Sequence, residues 1–105
     1  MKTVYIAGPY SKGNLVRNLH KAVAVAEILT ERGYLVYLPH MTHLWDLICP
    51  HDYEFWMEQD LRWLGKCDAV FRISGLSAGA DREVIEAHAL GIPVHTELED
   101  LKGEL

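Results

Sequence analysis

Four short runs of β-branched and aromatic residues punctuate this chain, and the stretches between them carry helical periodicity. The first run, Thr3–Ala7, stops at Gly8-Pro9. Residues 15–32 follow, with Leu15, Leu19, Val23, Ala26 and Leu29 at helical spacing and Gly33 as a C-terminal cap. Residues 34–38 form a second strand pattern, ended by Pro39, and residues 39–52 are the least regular part of the chain. Asp52 is placed to cap a helix over residues 53–66. A third strand pattern spans residues 69–73, a helix runs on to Leu90, and Val94-His95 makes a short fourth strand. Residues 97–105 read as a charged, frayed turn or helix. Strands that alternate with helices predict a parallel sheet covered on both faces. The expected fold is therefore α/β: a three-layer, flavodoxin- or Rossmann-like domain over residues 1–105, with a four- to five-stranded, mainly parallel sheet in the order 2-1-3-4. In such a sheet ligands bind beyond the strand C-termini. The segments Gly8 to Ser11, Pro39 to His43 and Gly75 to Ala80 should meet there.

Composition narrows the partners. The 105 residues carry a formal net charge of -5 and no basic patch, which disfavours polymeric nucleic acid. A small nucleotide needs only a few backbone amides. No apolar run approaches the roughly 18 residues of a membrane span, and a strand pattern begins almost at once, without a signal-peptide pattern. Cys49 and Cys67 form no C-x-x-C pair and read as free thiols, so the expected location is cytoplasmic. Phosphate-loop, dinucleotide and nucleophile-elbow signatures do not occur.

The densest constellation is Gly75-Leu76-Ser77-Ala78-Gly79-Ala80-Asp81-Arg82-Glu83, a small-residue turn between a strand and a helix. It places Glu83 in the expected first helical turn, where free amides and the macrodipole keep an acid ionised and can hold an anion. The plainer alternative is that Asp81 and Glu83 only favour helix initiation. Asp60 falls at helical spacing between Trp56 and Trp63, so an apolar stripe carries an acid. It is either paired with Arg62 or Lys66, or it works with Glu83. Paired carboxylates are what glycosidic cleavage requires. Gly8-Pro9-Tyr10 allows close approach of a ligand and offers Tyr10 for stacking, or it simply ends a strand. His40 and His43 are candidate substrate contacts. With Cys49 and His51 they match no familiar zinc spacing, so no metal and no cofactor is expected. Trp45 and Trp56 read as core or interface.

Together these motifs resemble the nucleoside 2-deoxyribosyltransferase superfamily. The resemblance rests on Gly8-Pro9-Tyr10, on Asp60-Leu61-Arg62-Trp63-Leu64 before Cys67-Asp68-Ala69-Val70, and on Ser77-x-Gly79-x-x-x-Glu83-x-x-x-Ala87 before Gly91-Ile92-Pro93-Val94. It implies cleavage of the N-glycosidic bond of a nucleoside or nucleoside 5'-monophosphate. Glu83 would form a glycosyl intermediate, Asp60 would assist, and water or another base would accept the sugar. Gly8, Pro9, Tyr10, His40, His43, Ser77 and Gly79 would bind substrate. Serine at position 77 is similar to the 2'-deoxynucleoside 5'-monophosphate N-hydrolases, whereas the transferases look to carry an acid there. The first loop departs from those hydrolases, with Pro9-Tyr10-Ser11 in place of a Ser-Ile-Arg-like stretch, so Lys12, Arg17 or Arg82 would have to meet a phosphate. The resemblance and the aromatic helix also imply a homodimer or higher homo-oligomer. A binding or sensor module that keeps the fold without turnover is the alternative.

Overall fold

The computed structural model describes residues 2–103. A four-stranded sheet runs in the order β2-β1-β3-β4, with β1 (Thr3–Ala7), β2 (Leu35–Tyr37), β3 (Ala69–Arg72) and β4 (Val94–His95). Every pairing is parallel: Val4 faces Val36, Tyr5 faces Val70 and Phe71 faces His95. This is the expected strand order, reached with the lower of the two expected strand numbers.

Period-two alternation sends β1 side chains to both faces. Val4 and Ile6 join Ala22 and Leu29 of α1 (Leu15–Glu31), with Phe71 and Leu101, on one face. Tyr5 and Ala7 turn to the other face, with Leu64 of α3 (Tyr53–Leu64) and Ala80 and Ala87 of α4 (Ala78–Ala89). Continuous burial explains why the strand runs read as almost wholly apolar. Since α1 leaves β1 on one face and α4 leaves β3 on the other, the crevice opens at the C-terminal ends of these two strands.

Helix ends follow the local chemistry. Asn14 caps α1 by accepting from the Arg17 amide at 3.0 Å, and Asp52 caps α3 by accepting from Phe55 at 2.8 Å. Ser77 caps α4 by accepting from Ala80 at 3.1 Å. That cap corrects the sequence-based boundary. The helix begins at Ala78, so Glu83 lies in its second turn rather than its first.

Two further expectations change. Residues 39–52 are more regular than predicted: Pro39–Thr42 is a 3-10 turn that passes into a short helix, α2 (His43–Ile48). The C-terminal segment is not frayed over its described part. Leu98–Asp100 forms a 3-10 turn, and Arg32 Nη1 donates to the carbonyls of Leu98 and Leu101 at 2.7 and 2.9 Å. The Gly103 amide donates to the Tyr34 hydroxyl at 3.0 Å. The last two positions of that expectation, 104 and 105, lie outside the described residues. Among the described residues no helix is long and apolar enough to cross a membrane.

The loops after β1 and β3 touch directly. Gly75 has φ +121°, and a Cβ placed there would stand 2.8 Å from Pro9 Cγ. Both the backbone conformation and the contact exclude a side chain. Gly75→Ala should therefore lower unfolding free energy by about 1–3 kcal/mol. Urea denaturation of the two proteins checks this, and equal midpoints would show that the loops do not interlock.

Candidate active site

A cavity of about 290 Å³ lies at the C-terminal ends of β1, β2 and β3, near the lower limit of ordinary ligand pockets. Gly8, Tyr10, His40, Asp60, Ser77, Gly79 and Glu83 all line it. The structure thus brings together most of the residues singled out from sequence. Pro9 and His43 are not among the lining residues and act one step back. The Pro9 carbonyl accepts from His40 Nε2 at 3.0 Å, and His43 Nδ1 is hydrogen-bonded to the Tyr10 hydroxyl.

Glu83 is 5% exposed and projects from α4 toward the sheet, where the Tyr5 hydroxyl donates a hydrogen bond to its Oε2. Burial pushes the Glu83 carboxyl up to about 8; the charge of Asp60 adds to this, while Tyr5 and Arg72 oppose it. The expectation of an acid kept ionised by the helix terminus is thereby corrected, because dipole stabilisation fades beyond the first turn. Burial likewise raises the Tyr5 phenol well above its ordinary value.

Asp60 lies across the same cavity on α3. Its Oδ1 is buried without a hydrogen-bond partner, and burial pushes its carboxyl up to about 7. The ion-pair alternative fails, since Arg62 turns to Glu58 at 2.8 Å and Lys66 lines a separate groove. Desolvation with no compensating partner is costly.

The loop from β3 to α4 is fixed by Arg72, whose Nη2 donates to the Gly75 carbonyl at 2.9 Å and to Asp81 at 3.1 Å. Asp81 is thus engaged by a cation as well as placed near a helix start. Arg82 is 2.7 Å from Glu54 and lies over the Tyr53 ring, and neither it nor Lys12 or Arg17 lines the cavity. The Ser77 hydroxyl oxygen accepts from Ala80, and the amides of Ala78 and Gly79 complete the exposed helix start.

Several lining residues escaped sequence reasoning. Asp46 Oδ1 accepts from Trp56 Nε1 at 2.7 Å and from the His51 amide at 2.9 Å, and these bonds lower its carboxyl below the ordinary value. Trp56 is therefore a cavity wall rather than simply core or interface. Tyr5 had a readable signal: a tyrosine inside a buried strand needs a partner for its hydroxyl. Asp46 had none, because its partners come from the packing of α2 against α3. Tyr5, Tyr37 and Trp63 stack in series, with ring centroids 5.6 and 5.1 Å apart. His51 stacks on Phe55 at 3.8 Å, Cys49 is exposed, and among the described residues no group of three His, Cys, Asp or Glu side chains is arranged to hold a metal.

A family model described as a domain of unknown function, DUF7768, matches residues 2–97. The chain belongs to that family. No curated protein matches it. Among solved structures it is similar to a conserved protein from Enterococcus faecalis V583, at 25% identity and a TM-score of 0.74 over 90% of this chain and 61% of that one. It is also similar to the 2-deoxyribosyltransferase of the psychrotolerant bacterium Bacillus psychrosaccharolyticus, at 22% identity and a TM-score of 0.68 over 88% and 69% of the two chains. The 2-desoxiribosyltransferase from Leishmania mexicana is 20% identical, with a TM-score of 0.68 over 100% of this chain and 74% of that one. At these identities the likeness establishes the shared α/β fold, with this chain spanning 61–74% of the neighbours' lengths.

The raised carboxyls have a thermodynamic signature. Between the unfolded Glu83 value near 4.5 and the folded value near 8, the folded chain binds more protons than the unfolded one. Stability from this group is therefore present at low pH and lost as pH rises through that window. Glu83→Gln removes the ionisation. Relative to wild type, the variant should gain stability with rising pH, by about 1 kcal/mol or more near pH 8.5. Denaturation curves from about pH 5 to about pH 8.5 test this, and a pH-independent difference would refute the assigned burial.

Proposed function

We propose that this protein cleaves the N-glycosidic bond of a nucleoside through a glycosyl intermediate on Glu83. The observation that carries the reading is the carboxyl pair in one cavity, with both members raised into the neutral range. Near pH 7–8 such a coupled pair holds about one proton and one negative charge. Glycosidic cleavage needs both: an anion to attack the sugar carbon and an acid to receive charge from the leaving base. Burial raises Glu83 further than Asp60, but only Glu83 has a donor, the Tyr5 phenol, to hold the negative charge. A hydrogen bond to the charged form favours that form. Attack by Glu83 draws on the one-proton state of the pair in which the charge sits on Glu83, beside the Tyr5 phenol, and the proton on Asp60.

In the first step a Glu83 oxygen bonds to the anomeric carbon as the carbon–nitrogen bond breaks. Its electron pair leaves with the base, and the Asp60 proton neutralises it. In the second step water or another base attacks the same carbon, Glu83 departs as carboxylate, and Asp60, a carboxylate since the first step, takes up the proton that the nucleophile loses. The described lining has Asp46, Asp60 and Glu83 but no lysine or arginine. That electrostatic balance favours an unphosphorylated nucleoside over a 5'-monophosphate. The similarity in fold to 2-deoxyribosyltransferases supports the reaction class.

Incubation with a panel of nucleosides and their 5'-monophosphates should release free base, faster from the nucleosides. Glu83→Gln should abolish release while the protein stays folded, and Asp60→Asn should slow it by about 10²-fold or more. Mass spectrometry of a trapped reaction should place the sugar on Glu83. An adduct on another residue would reject Glu83 as the nucleophile, and binding without turnover would return the protein to the sensor alternative.

The second proposal concerns assembly. Trp45 and Trp63 are 47% and 49% exposed and line a groove with Phe55 on the outer side of α3, and Leu44, Leu47 and Ile48 are exposed on α2. Exposed apolar surface of this kind favours self-association, consistent with a homodimer. Light scattering should give twice the chain mass, and Trp63→Glu should shift it toward monomer. A monomer at high concentration removes the proposal.

A further inference from the structure

The cavity wall made by the 3-10 turn at Pro39–Thr42 and by α2 presents hydrogen-bond acceptors. His40 is 3% exposed, and its Nε2 faces the Pro9 carbonyl at 3.0 Å. A carbonyl only accepts, so Nε2 carries the proton. Burial lowers the ring's pKa and keeps it neutral, which leaves Nδ1 as a bare lone pair, buried and without a partner. Thr42 Oγ1 spends its proton on the Pro39 carbonyl at 2.8 Å and can then only accept. Asp46 engages Trp56 and His51 through Oδ1, leaving its other carboxylate oxygen as an acceptor. Flat surfaces flank this wall, since Tyr10 and Trp56 also line the cavity.

We infer that this wall receives the nucleobase and selects bases with an exocyclic amino group, adenine or cytosine, over their oxo counterparts, hypoxanthine and uracil. The inference rests on the reading of the cavity as a nucleoside site, and it specifies what that reading leaves open. Strand order places the wall beyond β2 and the α4 start beyond β3, with Glu83 reaching in from α4. A sugar held at Glu83, with its 5'-hydroxyl toward Ser77, directs the base to the aromatic and acceptor side. The two N–H bonds of an amino group diverge and can satisfy two acceptors at once. A ring N–H supplies one bond and brings its neighbouring carbonyl oxygen against the lone pairs that remain. An acceptor left facing a carbonyl oxygen disfavours that base, most strongly where the acceptor is buried, as His40 is.

The test measures equilibrium binding of the free bases to the intact protein by calorimetry, so it needs no turnover. Adenine should bind at least about tenfold more tightly than hypoxanthine, and cytosine than uracil. Asp46→Asn keeps an oxygen for Trp56 and His51 but replaces the remaining acceptor with an amide donor. That variant should bring the ratio to near one or invert it. His40→Phe keeps a ring but removes the lone pair, and it should lower the ratio severalfold. Thermal melts confirm that each variant is folded, and the wild-type ratio stands as a test even if one is not. Equal affinities, tighter oxo-base binding, no binding of any of the four bases, or a ratio unchanged in both folded variants overturns the inference. Amino-base selectivity without base release from any nucleoside upholds it and removes the glycosidase reading instead.

Discussion

The structure depends on β1 being buried on both faces. Val4 and Ile6 anchor α1 on one side, while Tyr5 and Ala7 meet α3 and α4 on the other. A strand with no solvent face has no room for a register slip, because a shift of one residue would exchange its two side-chain sets. That rigidity places the Tyr5 hydroxyl beneath the cavity floor. The hydrogen bond from Tyr5 to Glu83 therefore ties this carboxyl to an inner strand of the sheet.

The site shows the cost of keeping carboxyls out of water. Glu83 is held by one donor and Asp60 has a buried oxygen with none. Neither arrangement favours folding at neutral pH. Arg72 could have quenched Glu83 directly, yet it is committed to the loop carbonyls and to Asp81, and it acts on Glu83 only through space. Stability is lost where two carboxyls are kept out of water along one cavity.

The fold was largely legible because strand runs and helical spacing are local signals. Thr3–Ala7 and Val94–His95 fall where their patterns predict, as do the caps at Asp52 and Gly33. The start of α4 was misplaced because glycine and small residues at 75–80 read as a turn, whereas Ser77 is the cap of a helix that begins at Ala78. Residues 39–52 lacked periodicity since α2 is short and takes its order from tertiary contacts, Asp46 to Trp56 above all. Glu83 and Asp60 stood out as acids in apolar settings. Tyr5 and Asp46 did not, because their significance lies in partners 78 and 10 residues away.

Pro9 lies outside the cavity lining, yet it joins the three loops that surround it. Its carbonyl holds His40 beyond β2, its ring fills the space that Gly75 leaves open beyond β3, and its own segment follows β1. In dynamical terms the mouth of the cavity is one body. A displacement of any loop strains the other two, so opening is collective and its barrier is shared among them. A change at either contact of Pro9 therefore reaches the ends of all three strands.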